Sequence, residues 1–445
     1  MIKVCDSWIR AQRREDATHS AISLLCATTA LAAHNFTSAT TAHSLFKIPA
    51  DDADESDETY VLQSLLMRFP GAKALVDAAD FIAWDEFPCA HRMVFEAAYQ
   101  VTEGFRDKIV LCSGDLRQLT PVVKSSSILH QIDASPVKSK YWTKFDIFNL
   151  VDNLRLANDL DYATYISTIG EGRDGSVYER FVADVDISQY VRDVFSHVTI
   201  DNAMLFAYPE CTNNELSFLN RAKLMATSAI LANTNERVSY WNQQVQQLLP
   251  LQDPMSYWSS DELCDAHDGD ENLSRDMLTT DFLNYCDAAD VPAHQVKLRV
   301  GDLCILMRNI DKPRGLTNNQ RVIIRVLKRF TIGVSIARDH TDTVHWLPKI
   351  KFRFVIPGTS FEMVRKQFPL KLAYSFTVHK AQGQELTRVL LDSTTPVFAH
   401  GQLYVALSRV RDRQSLGIFT DDEQMQSGSV ICRNVVLTEI IQCLL

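Results

Sequence analysis

The sequence contains no CxxC pair, no apolar run long enough to cross a bilayer and no Gly-Lys dipeptide. The ten cysteines are scattered, which argues against a zinc ribbon or a disulfide framework and favours an intracellular protein. A transmembrane helix needs about 18 consecutive apolar residues, so no membrane partner is expected. The apolar stretch at residues 22–33 follows a polar, partly acidic stretch, so no secretion signal is expected either.

The chain also lacks an overall positive charge, since its formal net charge is -10. Much of the acid lies in residues 51–58, predicted to be a loop, and in residues 261–290. Residues 297–371 hold 16 Lys and Arg against 5 Asp and Glu, and such a block could neutralise phosphates even on an acidic protein. On charge alone, a solvated basic face explains it equally well.

Short apolar runs alternate with longer segments of helical spacing, which is typical of parallel sheets flanked by helices. The strand candidates are residues 22–28, 80–86, 108–115, 227–235 and 388–392. Between the last two candidates, from Val296 to Lys371, the pattern changes to short alternating strands, which predicts a small inserted β domain. The expected domains are 1–158, a first α/β domain; 159–225, a helical connection; 226–296 with 372–445, a second α/β domain; and 297–371, the insertion.

Two adjacent carboxylates, Asp85 and Glu86, end the second strand candidate. A buried strand that ends in this way can hold the magnesium of a nucleotide on the first carboxylate and activate water with the second. An ordinary surface Asp-Glu pair is the alternative. The next candidate ends at Gly114 and Asp115, and Gln118 then follows at the sheet edge, where an amide could sense a γ-phosphate or simply be solvated.

Two later segments carry further polar chemistry. Residues 376–386, FTVHKAQGQEL, group donors suited to a phosphodiester backbone: Thr377, His379, Lys380 and Gln382. A tight turn capped by glutamine is the alternative. Residues 400–410, HGQLYVALSRV, have helical spacing and carry Arg409 near their end, where it could reach a transition-state phosphate across a domain interface. An arginine that favours its own helix dipole is the alternative there.

These segments, taken in order, resemble the petite integration frequency (Pif) family of superfamily-one DNA helicases, especially the relatives carried by Helitron transposons. The segments are AWDEFP, SGDLRQLTPV, NLRL, AILANTNERV, GDLCILMRNIDKPRGLTNNQR, TVHKAQGQEL and HGQLYVALSRV. The resemblance as a whole runs from about Cys26 to Val410, nearly the whole chain. The resemblance implies two RecA-like P-loop NTPase domains with parallel sheets, and a small inserted SH3-like β-barrel.

The resemblance also implies an ATP-dependent helicase that moves 5′ to 3′ on DNA in repair, recombination or telomere maintenance. It makes Asp85 the ligand of the Mg²⁺ that accompanies ATP, and Glu86 the catalytic base. Gln118 becomes the γ-phosphate sensor, while Arg155 and Arg409 stabilise the transition state.

DNA contacts follow from the same resemblance. Residues 38–49 are similar to a family element that contacts DNA, which adds Thr41, His43 and Ser44 to the candidates of residues 376–386. The resemblance implies that those later candidates contact DNA and couple it to the nucleotide. The implied partners are single-stranded DNA and duplex junctions, bound by a monomer in the nucleus or mitochondrion.

The sequence departs from the family where the phosphates should be cradled. Relatives carry a Gly-rich loop ending in Gly-Lys-Thr or Gly-Lys-Ser, whose N–H groups and lysine hold the β- and γ-phosphates. Counting back from TALAA, residues 29–33, places that loop near Met1, and Lys3 is no convincing substitute. Two hypotheses follow: a helicase whose N-terminus is missing from this sequence, or a remnant without ATPase activity that at most binds single-stranded DNA. A nucleotide-independent scaffold that keeps the fold for a protein partner is a third alternative. For the chain as written we expect absent or very weak ATP turnover.

Overall fold

The computed structural model describes residues 2–12, 21–36, 38–49, 61–123, 127–150, 152–250, 252–264, 284, 286, 288, 290–339, 341–356 and 361–444. The acidic run at residues 51–58, predicted to be a loop, lies outside them. In the part of the chain so described, no helix combines the length and the apolar character that crossing a membrane requires.

Helices and strands alternate along most of the chain. The α-helices are α1 Ile2–Gln12, α2 Ala30–Ala33, α3 Ala42–Leu45, α4 Pro70–Asp77, α5 Arg92–Val101, α6 Ile128–Ala134, α7 Leu160–Glu171, α8 Ile200–Ala207, α9 Phe218–Met225, α10 Asn235–Leu248, α11 Val378–Ala381, α12 Gln402–Leu407, α13 Asp422–Ser427 and α14 Thr438–Ile441. The strands are β1 Ser23–Ala27, β2 Thr40–Thr41, β3 Phe81–Asp85, β4 Ile109–Cys112, β5 Val182–Asp186, β6 Asp193–Phe195, β7 Ala229–Ala232, β8 Met255–Trp258, β9 Ser260–Leu263, β10 Gln295–Leu298, β11 Leu303–Leu306, β12 Arg321–Leu327, β13 Thr331–Ile336, β14 His345–Pro348, β15 Ile350–Val355, β16 Glu362–Gln367, β17 Leu370–Leu372, β18 Ser375–Thr377, β19 Val389–Asp392, β20 Leu416–Phe419 and β21 Ile431–Val435.

The first sheet is parallel and has the strand order β2-β1-β3-β4. Its three longer strands confirm the candidates at residues 22–28, 80–86 and 108–115. Cys26 lies opposite Trp84, which in turn lies opposite Cys112, so the three strands end at the same edge. The first four residues of β3 are buried, as a strand covered on both faces requires.

The second sheet is also parallel, with the order β18-β7-β19-β20-β6. Its strands β7 and β19 confirm the candidates at residues 227–235 and 388–392, and every residue of both is buried. Each sheet therefore presents the carboxyl ends of its strands at one edge, where open α/β sheets place their chemistry.

Residues 159–225 are more than the helical connection that was expected. Helices α7, α8 and α9 do lie there, but β6 adds an edge strand to the second sheet and β5 pairs with β21. Strands of three and five residues are too short for their alternation to stand out against the long helical segments around them.

Strands β8–β17 form an antiparallel unit, here called the β insertion. Its sheets have the orders β14-β13-β12-β11-β17, β15-β16-β9 and β10-β8. Pairing begins at Met255, ahead of the boundary expected at residue 297, because β8 and β9 pair with later strands of the unit. The buried Arg321 fixes the insertion to the second domain by donating to the carbonyls of Ala226, Ser228 and Ala373. An SH3-like barrel stays a prediction.

Candidate active site

The carboxylates predicted from the sequence lie at the carboxyl edge of the first sheet. Asp85 is the last residue of β3, and the hydroxyl of Ser113, just after β4, donates to its Oδ1 at 2.7 Å. Glu86 adopts a left-handed backbone conformation (φ 52°), which is uncommon for a residue with a side chain. The hydroxyl of Thr28 holds this turn by donating to the Glu86 carbonyl at 2.7 Å.

Glu86 also meets a residue that follows the second sheet. Nε2 of Gln382, just beyond α11, lies 3.1 Å from Oε2 of Glu86 and 2.7 Å from Sγ of Cys89. Burial, and then the neighbouring Asp85 carboxylate, raise the pKa of Glu86, although the Gln382 hydrogen bond and Arg409 oppose the shift. The raised pKa of Glu86 is closer to the value that suits a general base near neutral pH than the pKa of an exposed glutamate is.

A second bridge between the two domains is centred on Asp115. Nε of Arg117 donates to one carboxylate oxygen of Asp115 at 2.9 Å, and the hydroxyl of Tyr404 in α12 donates to the other at 2.6 Å. The Arg117 guanidinium also lies over the Tyr404 ring, 5.2 Å from its centroid. Burial alone would raise the pKa of Asp115, but Arg117 and Tyr404 together hold it below its usual range. Asp115 is therefore a charged anchor that ties α12 to the first domain.

Gln118 follows this anchor, and α12 approaches it closely. Oε1 of Gln118 is buried and has no hydrogen-bond partner among the described residues. A Cβ on Gly401, the residue before α12, would lie 2.4 Å from the Arg117 carbonyl oxygen and 2.8 Å from that of Gln118. Gly401 has φ +71°, so glycine is required there both by backbone conformation and by space.

We expect Gly401→Ala to lower the free energy of unfolding by about 3 kcal/mol, measured by urea denaturation. About 1 kcal/mol comes from the left-handed backbone and the rest from the displaced loop. Gly428→Ala is a matched control, because Gly428 has φ +70° with no atom within 4 Å of an added Cβ. Gly428→Ala should lower the free energy of unfolding only by the backbone contribution. Equal losses of unfolding free energy in the two variants would contradict the close approach of α12 to Gln118.

Arg409 lies two residues beyond α12 and is only 1% exposed. Its guanidinium donates to the carbonyls of Val405 and Gln384 and to the Ser408 hydroxyl, with no carboxylate within ion-pair distance among the described residues. Burial, and then the like charge of Arg155, lower the pKa of Arg409 to about 10. Arg155 itself is exposed on the turn after Asn153, so the two predicted arginines lie near each other, one buried and one at the surface.

The predicted DNA contacts of the second domain surround α11. Thr377 precedes the helix and its side chain makes no capping hydrogen bond. Burial lowers the pKa of both His379 and Lys380, so the imidazole is neutral at pH 7. The His379 ring also stacks on Phe398, with centroids 6.0 Å apart.

The contacts predicted in the first domain lie at the start of α3. The hydroxyl of Thr41 caps this helix by accepting from the Ser44 backbone N–H, and burial lowers the pKa of His43. Nζ of Lys312, from the β insertion, donates to the Ser44 hydroxyl at 3.0 Å. The β insertion therefore reaches the candidate DNA residues of the first domain.

The prediction put Asp85, Glu86 and Gln118 at one sheet edge. Asp85 ends β3, Glu86 follows it, and Gln118 lies six residues after the end of β4. The prediction missed the Tyr404–Asp115–Arg117 bridge, whose tyrosine lies 289 residues from its aspartate. Gln382 was predicted to contact DNA and to couple it to the nucleotide, but its hydrogen bond to Glu86 was not predicted. One part of the bridge had a signal in the sequence, because Arg117 lies two residues after Asp115 and could pair with it.

Asp85 is a reasonable ligand for Mg²⁺, which proteins bind through one or two carboxylates together with substrate phosphates. No group of three or more His, Cys, Asp or Glu side chains that could cage a metal occurs among the described residues. The donor set therefore fits an ion that arrives with a nucleotide better than a resident structural metal.

Comparisons with known proteins bear on the family and the fold of the chain. A sequence profile described as PIF1-like helicase matches residues 10–179, and one described as DNA helicase Pif1, 2B domain, matches residues 281–327. The ATP-dependent DNA helicase PIF1 of Danio rerio is 33% identical over 139 residues, 31% of this chain and 21% of that protein. The ATP-dependent DNA helicase Pif1 of Campylobacter jejuni is 22% identical over 359 residues, 78% of this chain and 71% of that protein.

Among solved structures, the Pif1 helicase from Bacteroides in complex with ADP-AlF3 and ssDNA matches with a TM-score of 0.56 and 20% identity. The match covers 90% of this chain and 83% of that one, and it supports two RecA-like α/β domains. The matched part spans about a fifth of the length of the curated vertebrate relatives.

Proposed function

Because the chain belongs to the PIF1-like helicase family, we propose that it is an ATP-dependent DNA helicase that moves 5′ to 3′ along single-stranded DNA. The observation that carries this proposal is the 3.1 Å contact between Gln382 and Glu86. It joins the residue proposed to activate water in the first domain to the polar segment proposed to bind DNA in the second. One hydrogen bond therefore gives a physical route by which DNA occupancy can act on the hydrolytic base.

In this mechanism the nucleotide lies between the two sheet edges. Asp85 would hold Mg²⁺, and the ion would neutralise charge that develops on the phosphates. Glu86 accepts the proton of the attacking water, and the unpartnered amide oxygen of Gln118 orients that water beside the γ-phosphate. Arg409 and Arg155 stabilise the equatorial oxygens of the transferring phosphoryl group.

Single-stranded DNA would lie across both domains. Thr41, His43 and Ser44 contact it in the first domain, and the segment from Thr377 to Gln382 contacts it in the second. Because burial keeps His379 neutral, we propose that its ring supports a base or donates one hydrogen bond, while Lys380 supplies the charge.

Wider roles follow from the family. We propose duplex junctions as substrates, a monomer as the translocating unit, and the nucleus or mitochondrion as its compartment. Repair, recombination and telomere maintenance are the processes in which such an activity would be used.

A second candidate function is DNA binding without ATP turnover. It is favoured by one observation, the lack of a Gly-Lys dipeptide in these 445 residues. The β- and γ-phosphates of a nucleotide are ordinarily cradled by the N–H groups and the lysine of a loop that ends in this dipeptide.

The test compares the 445-residue chain with the same chain extended at residue 1 by a strand and a Gly-Lys-Thr phosphate loop, here called the extended chain. We expect the 445-residue chain to hydrolyse ATP no faster than its Glu86→Gln variant, with or without single-stranded DNA. The extended chain should show DNA-stimulated hydrolysis and should unwind a duplex with a 5′ tail but not one with a 3′ tail.

Two results would contradict these proposals. Glu86-dependent ATP hydrolysis by the 445-residue chain would overturn the second candidate. An extended chain that binds ATP but is neither stimulated by DNA nor able to unwind a tailed duplex would overturn the first.

A further inference from the structure

The backbone at the candidate base turns in a way that few residues with a side chain adopt. Glu86 follows β3 directly, precedes the short helical turn Phe87–Cys89 and has φ 52° and ψ 36°. A conformation of this kind persists at a functional site only where the surrounding structure holds it. The contacts that hold the Glu86 backbone therefore decide in which direction its carboxylate leaves the strand.

One hydroxyl from the neighbouring strand provides such a contact. Thr28 follows β1, and its Oγ1 donates to the Glu86 carbonyl at 2.7 Å and accepts from Nε1 of Trp84 at 3.1 Å. Among the described residues, no other side chain bonds to the Glu86 backbone. An indole nitrogen can only donate, so the single proton of the Thr28 hydroxyl is left for the Glu86 carbonyl.

The indole that orients this hydroxyl is fixed by packing. Trp84 is 1% exposed, and its ring centroid lies 5.3 Å from that of Phe87, edge to face, and 5.8 Å from that of Phe46. A buried N–H is costly to leave without an acceptor, so Trp84 in turn keeps the Thr28 hydroxyl in place. One line of contacts thus runs from the core of the first domain through Thr28 to Glu86.

The remaining bonds of the turn are made by the backbone. The Phe87 N–H donates to the Ser113 carbonyl at 2.9 Å, and the Cys89 N–H donates to the Glu86 carbonyl at 3.2 Å. The Thr28 N–H also donates to the Asp85 carbonyl at 3.1 Å. None of these bonds requires a particular side chain, so replacing the Thr28 side chain would loosen one side of the turn without removing the rest.

We propose that Thr28 is a positioning residue for the reaction assigned to Glu86. Its hydroxyl holds the left-handed turn and so directs the carboxylate into the cleft, where Oε2 lies 3.1 Å from Nε2 of Gln382. This role rests on the helicase function proposed above, because the carboxylate needs a water molecule beside a nucleotide to act on. Without the hydroxyl, the turn relaxes and the carboxylate moves away from Gln382.

The first test measures DNA-stimulated ATP hydrolysis by the extended chain and its Thr28→Val and Thr28→Ser variants. Valine has the shape of threonine but no hydroxyl, so the turnover number should fall about thirtyfold while the Michaelis constant for ATP changes less than about threefold. Serine restores the hydroxyl and should return the turnover number to within about threefold of the parent. A turnover number that valine leaves unchanged, or that serine lowers as much as valine does, would overturn the proposal.

Thr102→Val is the matched control. The hydroxyl of the buried Thr102, at the end of α5, also donates to a carbonyl, that of Ala98 at 2.8 Å, and accepts from an N–H, that of Phe105 at 3.2 Å. Its loss should lower the melting temperature as the loss of the Thr28 hydroxyl does, but leave the turnover number unchanged. Equal losses of turnover in the two valine variants would show that reduced stability explains both, and would overturn the positioning role.

The second test needs neither ATP nor an added phosphate loop. Hydrogen–deuterium exchange of the 445-residue chain, followed by mass spectrometry of peptides that cover residues 85–90, reports the N–H groups of Phe87 and Cys89. Exchange there should be about tenfold faster in Thr28→Val than in the parent, and unchanged in Thr28→Ser and Thr102→Val. Parent-like exchange in Thr28→Val would overturn the proposal whatever the extended chain does.

The two tests separate this proposal from the helicase proposal. If the extended chain with Thr28 intact shows no DNA-stimulated hydrolysis, the helicase proposal fails, and the assignment of a positioning role in hydrolysis fails with it even where the exchange result holds. If that chain is active and Thr28→Val is equally active, only the positioning role fails. Thr28→Cys, whose S–H is a weak donor, replaces the valine variant if valine prevents folding, and it should give smaller changes of the same sign in both tests.

Discussion

Replacing Glu86 with glutamine is expected to lower DNA-stimulated ATP turnover of the extended chain by about a thousandfold, the contribution typical of a positioned general base. Glutamine keeps the shape of the side chain and can still pair with Gln382 but cannot accept the proton of water. Turnover of the unmodified extended chain should also fall as the pH is lowered through the raised pKa of Glu86, above the ordinary glutamate value of 4.5.

The same substitution should stabilise the fold at pH 7. The pKa of Glu86 is higher in the folded protein than in the unfolded chain, so the folded protein retains a proton in a pH range where the unfolded chain has released it. Stability is therefore greatest below the unfolded-state pKa and decreases as the pH rises through the folded-state pKa. Glutamine has no proton to lose, so Glu86→Gln should be more stable than the parent at pH 7 and equal to it below about pH 4.

Urea denaturation at several pH values, with ATP hydrolysis measured on the same samples, checks both expectations. Glu439→Gln is the control, because Glu439 is 49% exposed and pairs only loosely with Lys138 at 3.4 Å. It should change neither quantity. A Glu86→Gln variant that is less stable at pH 7, or that keeps most of its turnover, would contradict the role proposed for this carboxylate.

The sequence was sufficient to predict those parts of the site that are local in the chain. Asp85, Glu86 and Gln118 follow directly from strands whose apolar runs are long enough to recognise, and parallel strands bring their ends to one edge. Contacts between distant segments could not be predicted in this way. The pairing of Tyr404 with Asp115 depends on how α12 packs against the first domain, which no periodicity encodes.

The errors in the fold have a similar origin. β8 and β9 are four-residue strands of polar and apolar residues, and only their pairing with β10 and β16 assigns them to the β insertion. β6 has three residues and is a strand because β20 lies beside it. Short strands at sheet edges are fixed by tertiary pairing more than by their own propensity.

Arg409→Ala is expected to lower the turnover number of the extended chain by about a thousandfold or more, as removal of an arginine that stabilises phosphoryl transfer does. The Michaelis constant for ATP should change much less, because the guanidinium is needed where charge develops in the transition state. Arg409 bonds only to carbonyls and a hydroxyl among the described residues, so no carboxylate has to be displaced before it can turn towards a phosphate.

Arg409→Lys is the informative comparison. Lysine keeps the charge but lacks the planar fork that bonds to Val405, Gln384 and Ser408 together, so it should rescue little of the lost turnover. Arg413→Ala is the matched control, because Arg413 lies four residues further along and is paired with Asp159 at 3.0 Å. It should leave the turnover number within about threefold of the parent. Steady-state hydrolysis with saturating DNA measures all three, and near-complete rescue by lysine would show that Arg409 acts through charge alone and not by directed hydrogen bonds to the phosphoryl oxygens.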